Sequence, residues 1–364
     1  MTATPAAPQP PDPPPDPQPS RLPVLADMTT LRVGGPARAV VTATTSDELV
    51  AAVTQLDADS EAMLLVGGGS NLLVADAGFP GTVVRIGTRG VEVQPADPGR
   101  IRVRVAAGEP WESFVATAVG SGWSGVEALS GIPGSTGATP IQNVGAYGAE
   151  VAQVIWSLEV LDRRTGAVGA MDPEQAGFGY RSSALKHAPG RWVVLSVTFD
   201  LAVDARSAPI RYSELAGMLG VQVGDRPPAE AVRQAVLELR RGKGMVLDPA
   251  DHDTWSAGSF FTNPILSPAQ AQALPEGAPR FGQPDGSVKT SAAWLISHSG
   301  FPRGFAVRPG APASLSTKHS LALTNRGGAT AQDLLELARA VRAGVAERFG
   351  IVLENEPVLV GCTL

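Results

Sequence analysis

The alternation of hydrophobic and polar positions predicts short strands and helices near the beginning of the chain. The runs "RAVVTATT" and "AMLLV" are typical of strands, because apolar and β-branched residues dominate them. Between them, "TSDELVAAVTQL" places Leu49, Val53 and Leu56 on one face of a helix. The first structural unit therefore begins as strand, helix and strand, and the strand "TVVRI" follows.

Later parts of the chain predict more strands and helices in an irregular order. A final helix over Thr330–Phe349 places Leu334, Leu337, Val341 and Val345 on one face. The evenly repeated strand-helix rhythm of a doubly wound sheet is missing, so we predict an α+β fold. The other predicted strands are "RIRVRVAAG", "VIWSLEVLD", "WVVLSVTFDLAV" and "LALTN", and the other predicted helices are "PWESFVATAVGSG", "PAEAVRQAVLELRRGKG" and "SAAWLISHSG".

These elements divide the chain into a tail and three units. Residues 1–22 are rich in proline and nearly free of large apolar residues, which predicts a disordered or polyproline-II tail. Such a tail is either a solvated segment or a docking site for a proline-binding module. The three units are predicted over 23–90, 91–240 and 241–364.

Composition and charge exclude several classes of protein. The 364 residues carry a net charge of −6, so no basic surplus is present to coat a nucleic acid or an anionic membrane. A single cysteine, Cys362, excludes an intrachain disulfide and suits a reducing compartment. No apolar run is long enough for a membrane span, and the tail lacks the pattern of a signal peptide. We expect a cytoplasmic protein.

Two glycine-rich runs are the strongest local signals for a ligand. In "LLVGGGSNLLVADAG" the spacing differs from G-x-G-x-x-G and no lysine follows, so neither common phosphate loop is present. The second run, "GIPGSTGATPIQNVGAYG", has many backbone donors and small polar side chains but no charged residue. Either the glycines make tight turns, or the two runs together hold a buried diphosphate through backbone amides.

Seven runs occur in the order in which they stand in one enzyme family. They are "TTLRVGGPA", "VGGGSNLL", "IPGSTGATPIQNVGAYGAEV", "FGYRSS", "GSFFTNP", "DGSVKTSAAWLI" and "LENEP". From Thr29 to Gly361 the chain resembles the UDP-N-acetylenolpyruvoylglucosamine reductases, in particular their longer subclass with a tyrosine-bearing loop. The resemblance implies a two-part FAD-binding domain of the vanillyl-alcohol-oxidase type, followed by an α+β substrate domain. It also implies that the last strand of this domain, which carries Glu356, packs back at the active site.

This resemblance implies an oxidoreductase of peptidoglycan precursor synthesis that acts as a monomer. NADPH reduces FAD, and the reduced flavin then passes hydride to the enolpyruvyl ether of UDP-N-acetylglucosamine, giving UDP-N-acetylmuramate. The residues implied to bind FAD all lie in the two glycine-rich runs. They are Gly67, Gly68, Gly69, Ser70, Asn71, Gly131, Pro133, Gly134, Ser135, Gly137, Ala138, Gln142, Asn143, Gly145 and Tyr147.

Three residues match the family's catalytic positions. Arg181 is implied to stabilise the negative charge that develops on the substrate, and a guanidinium suits this role because it stays charged. Ser259 is implied to donate a proton, although Thr262 stands where the family has lysine. Glu356 is implied to be the second acid, and Glu354 is the alternative because both would share one face of a strand. From the residues alone, Arg181 is better explained as a strand-end arginine in a surface ion pair. Ser259 would then be a turn or capping serine, and the two glutamates would be polar residues of a C-terminal strand.

The resemblance also implies a set of substrate ligands. They are Tyr180, Tyr212, Lys243, Asn263, Lys289 and His319. By contrast, the adjacent Asp251, His252 and Asp253 cannot easily converge on one ion, so no metal site is predicted.

Two other kinds of protein remain open from the sequence. An oxidase with the same cofactor fold would share the glycine-rich runs but not "GSFFTNP" or "LENEP". A non-enzymatic nucleotide-binding protein would bind the nucleotide without passing electrons, and the presence of Arg181, Ser259 and Glu356 argues against it.

Overall fold

The structure is a computed structural model that describes residues 22–364, so the predicted tail lies outside it except for Leu22. Short strands and helices follow one another irregularly, as the α+β prediction requires. The strands are β1 (Ala37–Ala43), β2 (Met63–Val66), β3 (Leu72–Val74), β4 (Phe79–Ile86), β5 (Val91–Pro95), β6 (Arg100–Ala106), β7 (Trp123–Ser124), β8 (Gly145–Ala146), β9 (Ala149–Glu150), β10 (Ile155–Asp162), β11 (Ala167–Met171), β12 (Trp192–Val203), β13 (Ile265–Leu266), β14 (Phe281–Gly282), β15 (Val288–Lys289), β16 (Ala313–Leu315), β17 (Leu323–Asn325) and β18 (Val358–Val360). The helices are α1 (Ser46–Ala58), α2 (Trp111–Gly120), α3 (Pro173–Ala176), α4 (Ala184–His187), α5 (Ser213–Leu219), α6 (Ala229–Gly242), α7 (Pro268–Gln272), α8 (Ala292–His298) and α9 (Ala331–Phe349).

A small parallel sheet, in the order β1-β4-β2, begins the fold. Thr45 caps α1 by accepting a hydrogen bond from the backbone N–H of Glu48 at 3.1 Å. The apolar face of α1 is buried at Leu49 and Val53, as its sequence pattern predicts. The Gly67–Asn71 loop follows the carboxyl end of β2, so the sheet presents this loop at one edge.

An antiparallel sheet follows, in the order β11-β10-β12-β6-β5, with β7 also paired to β12. Trp111 and Phe114 of α2 pack on Phe199 of β12, and the Phe114 and Phe199 rings stack at 4.9 Å. All three side chains are buried. On another side of the sheet, Leu161 and Leu195 share an apolar cluster with α1 and β4.

The C-terminal region packs on the long helix α9. Its residues Leu334, Leu337 and Val341 are fully buried in a cluster that also includes Leu31 and Leu73 from the first part of the chain. The last strand, β18, pairs in parallel with β3. The end of the chain therefore returns to the Gly67–Asn71 loop, which immediately precedes β3.

Several details differ from the sequence predictions. Edge strands β5 and β11 and the short helix α5 were not predicted, and α6 ends at Gly242 rather than at Gly244. The expectation that Glu354 and Glu356 share one strand face is wrong. Both precede β18, and Glu354 is exposed whereas the side chain of Glu356 is 11% exposed. None of the helices between residues 22 and 364 has the length and apolar character needed to cross a bilayer.

Candidate active site

The two glycine-rich runs lie against each other. A Cβ at Gly68 would stand only 2.6 Å from the Cα of Gly134, so these two backbones approach as closely as glycine allows. The Ser70 hydroxyl donates to the carbonyl of Pro133 at 3.0 Å, and Ser135 Oγ occupies the space where Gly67 would carry a Cβ. The contact joins the edge of the parallel sheet to the loop that follows α2.

The same loops leave a group of backbone donors free. Within residues 22–364, the amide N–H groups from Gly67 to Asn71 have no protein acceptor, and neither do those of Gly134 and Ser135. Neighbouring amides of this kind form a concavity that binds phosphate oxygens without a lysine or arginine. The residues present therefore fit the diphosphate of a dinucleotide cofactor.

Amide side chains connect the glycine loops to the predicted acid. Asn71 Nδ2 donates to Gln142 Oε1 at 3.0 Å and to the backbone carbonyl of Glu356 at 3.3 Å. Gln142 Nε2 in turn donates to Glu356 Oε1 at 3.3 Å. Arg181 Nε lies 3.2 Å from the same carboxylate oxygen. Asn71, Gln142, Arg181 and Glu356 therefore form one connected group.

Arg181 is held in an unusual backbone conformation. Its φ is 52°, in the left-handed region that non-glycine residues seldom adopt. Its guanidinium also donates to the backbone carbonyls of Gly145 at 3.0 Å and Asn143 at 3.5 Å. The side chain is thus fixed by three separate acceptors, two of which belong to the second glycine-rich run.

Two opposing effects act on the carboxyl of Glu356. Burial raises its pKa, and the nearby cations Arg181 and Lys186 act in the opposite direction. Burial is the larger effect, so the pKa stays above its ordinary value. A carboxyl group of this kind can hold a proton close to neutral pH more readily than an exposed glutamate.

Ser259 lies next to this group in the fold. The backbone N–H of Glu356 donates to the carbonyl of Phe260 at 2.9 Å, and that of Thr262 donates to the carbonyl of Glu354 at 3.0 Å. The two segments run side by side, so Ser259 directly precedes a residue that is hydrogen-bonded to the backbone of the predicted acid. In the described part of the chain, the Ser259 hydroxyl makes no hydrogen bond to another residue, so it is free to meet a ligand.

Two predicted substrate ligands, Lys289 and Asn263, lie around a third, Tyr180, which precedes Arg181. Lys289 Nζ lies 4.5 Å from the centre of the Tyr180 ring. Burial raises the pKa of Tyr180, whereas Arg181 and Asn263 favour its ionised form. Asn263 is itself oriented, because its Oδ1 accepts a hydrogen bond from the N–H of Ala292 at 2.9 Å.

The other predicted ligands lie around α5 and α6. Tyr212 precedes α5 and meets Tyr147 edge to face at 5.7 Å. Lys243 lies 5.6 Å from the Tyr147 ring and forms a 2.6 Å ion pair with Glu214 of α5. Burial lowers the pKa of His319 to about 4, and the positive charge of Lys243 acts in the same direction. Tyr147, predicted as a cofactor ligand, therefore lies among predicted substrate ligands.

Other residues predicted to bind the cofactor make contacts that support the backbone of the second glycine-rich run. The Asn143 side chain is buried, donating to Glu150 at 2.8 Å and to the Gly179 carbonyl at 3.0 Å. Gly137 packs on Ala107 with no room for a side chain, and Ala138 closes a short 3-10 turn.

Sequence reasoning missed Arg240, a partly buried residue whose Nε is buried beside Gly131. Its Nε has no hydrogen-bond partner in the part of the chain that the structure describes, and burial lowers its pKa to about 10. The only sequence signal was its position in the last turn of α6. This signal is not specific for a site, because cations are common in the last turn of a helix, where they interact favourably with the helix dipole.

Two further features lie outside this site. Residues 22–364 contain no group of three His, Cys, Asp or Glu side chains that could hold a metal ion, and Asp251 and Asp253 pair with Lys318 and Arg326. A groove of about 690 Å³ between α1 and the antiparallel sheet is lined by Arg104 and Glu159, among others, and contains no predicted site residue.

Comparisons with known proteins agree with this geometry. A family model described as "FAD binding domain" matches residues 37–170. A second, described as "UDP-N-acetylenolpyruvoylglucosamine reductase, C-terminal domain", matches residues 248–360. The first match covers both glycine-rich runs, and the second covers Ser259 and Glu356.

Full-length relatives carry the same name. The UDP-N-acetylenolpyruvoylglucosamine reductase of Cutibacterium acnes is 56% identical over 340 residues, covering 93% of this chain and 90% of the relative. That of Salinispora arenicola is 54% identical over 347 residues, covering 93% and 95%. The crystal structure of the Thermus caldophilus enzyme matches with a TM-score of 0.61 at 30% identity, covering 93% and 97%. The chain therefore belongs to the UDP-N-acetylenolpyruvoylglucosamine reductase family, and it is a flavin-dependent oxidoreductase with an FAD-binding domain and the family's C-terminal domain.

Proposed function

We propose that this protein uses NADPH to reduce the enolpyruvyl ether of UDP-N-acetylglucosamine to UDP-N-acetylmuramate, with Arg181, Ser259 and Glu356 as its catalytic residues. The main support is the ion pair of Arg181 with Glu356, 3.2 Å apart, joined to the glycine loops by Asn71 and Gln142. In this proposal a cation, a largely buried carboxyl group and a free hydroxyl would act beside the backbone amides that bind the diphosphate.

The free amides from Gly67 to Asn71, with those of Gly134 and Ser135, would hold the FAD diphosphate. When bound, FAD supplies the hydride that it has received from NADPH. The role of the protein is then to bind and orient the substrate, to stabilise its charge and to supply a proton.

Arg181 would bind the carboxylate of the enolpyruvyl group. Negative charge grows on this carboxylate as the neighbouring double bond accepts hydride, so a fixed cation favours the transition state more than the ground state. The contacts of Arg181 with the carbonyls of Gly145 and Asn143 hold the guanidinium in place before the substrate arrives. This preorganisation removes the need for reorganisation during the reaction.

Ser259 would donate the proton that completes the reduction. A hydroxyl group is a weak acid, but the carbon next to an enolate-type carboxylate is strongly basic, so a well-placed serine is sufficient. The raised pKa of Glu356 would let this residue assist by sharing a proton or hydrogen bond with the enolate.

The two groups of predicted ligands would hold the rest of the substrate. Lys243, Tyr212 and Asn263 would bind the diphosphate, as cationic and hydrogen-bond-donating groups do. Tyr180 and Lys289 adjoin Arg181, and His319 lies near Lys243. The 2.6 Å ion pair of Lys243 with Glu214 means that Lys243 would exchange one anionic partner for another when substrate binds.

The setting of this activity is part of the proposal. We place a monomeric enzyme in the cytoplasm, where its sugar-nucleotide substrate and NADPH are made available. We also retain the division into units over 23–90, 91–240 and 241–364, with Glu356 returning to the site just before β18.

Anaerobic spectroscopy of the purified protein tests the reaction. We expect a yellow protein that NADPH bleaches and that the enolpyruvyl sugar nucleotide returns to yellow, with one product formed per flavin reoxidised. A flavin that is reoxidised by oxygen but not by the enolpyruvyl sugar nucleotide would favour an oxidase of the same fold.

A further inference from the structure

A chain of hydrogen bonds reaches Glu356 through the side chain of Gln142. The bond from Asn71 to Gln142 spans 71 positions of sequence, and the bond from Gln142 to Glu356 spans 214. The backbone of Asn71 also accepts a hydrogen bond from the N–H of Val358 at 2.9 Å. Three distant segments are therefore tied together at this point, and the Gln142 side chain lies in the middle.

Asn71 determines which way the Gln142 amide points. Asn71 Nδ2 is a donor, so Gln142 presents its carbonyl oxygen to Asn71 and its NH₂ group to Glu356. The reversed amide would place two NH₂ groups together and would turn an oxygen toward the carboxylate. The orientation of Gln142 is thus set by the neighbour on its far side.

Both donors that reach Glu356 meet the same oxygen atom. Gln142 Nε2 donates to Oε1 at 3.3 Å, and Arg181 Nε lies 3.2 Å from it. An oxygen atom that already accepts from two donors is a poor place for a proton, so the proton of the neutral carboxyl group belongs on Oε2. The other charged or titratable groups that interact with this carboxyl are Lys186 and Tyr180.

We propose that Gln142, oriented by Asn71, is a positioning residue that holds Oε1 of Glu356 and so leaves Oε2 as the oxygen that carries and exchanges the proton. This inference rests on the proposed function, because it gives Glu356 a role in proton chemistry. In this proposal the Gln142 side chain positions Glu356, whereas the sequence analysis predicted that Gln142 binds FAD.

Infrared titration of the holoenzyme tests this assignment without relying on turnover. The protonated carboxyl band of Glu356 is identified by its loss in Glu356→Gln, and its intensity is followed against pH. In Gln142→Met, the methionine side chain has a similar length but no N–H group that could donate to the ionised carboxylate of Glu356. The midpoint of the titration should therefore rise by about one pH unit, while the FAD content stays that of the wild type.

Two companion substitutions sharpen the test. Asn71→Ala should move the midpoint in the same direction, because the Gln142 amide loses the group that orients it. In the double variant the midpoint should shift no further than in Gln142→Met alone, since Asn71 acts through Gln142.

Gln153→Met is the control, because it makes the same change at an exposed glutamine, and it should leave the titration midpoint unchanged. If Gln142→Met does not fold, Gln142→Asn keeps the amide but shortens its reach, and it should give the same upward shift.

An unchanged midpoint in the Gln142 variants would overturn the proposal, and loss of FAD with an unchanged midpoint would return Gln142 to the cofactor site. Additive shifts in the double variant would overturn the orienting role of Asn71. Failure of the proposed function is a separate result. In that case the wild-type carboxyl titrates, but the enolpyruvyl sugar nucleotide fails to reoxidise the flavin, and the midpoints still decide the role of Gln142.

Discussion

At the scale of single residues, the site depends on how Arg181 and Glu356 constrain each other. The Arg181 side chain is 25% exposed and that of Glu356 is 11% exposed, so their ion pair is only partly screened by water. The sequence identified both residues through short motifs and assigned them to one site, but it did not predict the ion pair between them. Their contact depends on the return of the C-terminus to β3, which no local pattern encodes.

Replacing Arg181 tests its role in charge stabilisation. Arg181→Lys keeps a positive charge but loses the planar fork that reaches Gly145, Asn143 and Glu356 together. We expect FAD content and reduction by NADPH to be retained, and reoxidation by the enolpyruvyl sugar nucleotide to slow by roughly 10- to 100-fold. Stopped-flow absorbance measures the two steps separately.

A matched control for this variant lies on the antiparallel sheet. Arg104 pairs with Glu159 at 2.6 Å, away from the glycine loops, so Arg104→Lys should leave both steps unchanged. An unaltered reoxidation rate in Arg181→Lys would give Arg181 a structural role only.

At the scale of elements, the site consists of loops held by regular structure. The free amides from Gly67 to Asn71 lie between β2 and β3, and Gly134 meets them from the loop after α2. Loop composition predicted this pair of segments well, because glycine is required where two backbones touch. Sequence patterns missed β5, since both faces of this edge strand are exposed, and they also missed the short helix α5.

Substitution of Gly68 tests the contact between the loops. A valine there would place its Cβ 2.6 Å from the Cα of Gly134, and a backbone atom cannot move aside as a flexible side chain can. We therefore expect Gly68→Val to separate the loops and to yield protein without FAD, measured by flavin absorbance per polypeptide. Gly217→Val is the control, because nothing lies within 4 Å of a Cβ at that position. Stoichiometric FAD in Gly68→Val would remove this contact from the cofactor site.

At the scale of the whole molecule, long-range contacts bring the parts of the site together. Asn325 donates to the carbonyls of Leu31 and Arg32, and its Oδ1 accepts from three successive backbone amides that begin at Gly327. The periodicity of the sequence predicted α9 and its buried face, because both depend on neighbouring residues. It could not predict the distant residues that Asn71 and Asn325 would bind, since Gln142, Glu356 and Leu31 lie 71, 285 and 294 positions away from them, respectively.

The stability of the whole protein should depend on His319 in acid. Burial lowers the pKa of His319 from 6.5 to about 4. Between pH 6.5 and pH 4, this histidine is therefore protonated in the unfolded chain but neutral in the folded protein. The free energy of unfolding should therefore fall as the pH drops from 6.5 to 4, by up to about 3 kcal/mol from this residue. Above pH 6.5 the histidine is neutral in both states and contributes no pH dependence.

Denaturant unfolding at pH 7 and pH 4.5 measures this effect. His319→Gln should lose less stability between the two pH values than the wild type does. His298→Gln, a substitution at an exposed histidine, serves as the control. Equal losses in His319→Gln and the wild type would show that His319 accepts a proton as easily in the folded protein as in the unfolded chain.

The most direct test of the account is stopped-flow absorbance of both half-reactions in Ser259→Ala. The substitution removes one hydroxyl that has no partner among residues 22–364, so folding and FAD content should be retained. Reduction by NADPH should keep nearly its wild-type rate, because it needs no proton at the substrate carbon. Reoxidation by the enolpyruvyl sugar nucleotide should slow by roughly 10²- to 10⁴-fold if the hydroxyl is the general acid. Ser297→Ala, at an exposed serine, should leave both rates unchanged. Equal slowing of both half-reactions, or an unchanged rate of reoxidation, would contradict the assignment of the proton donor to Ser259.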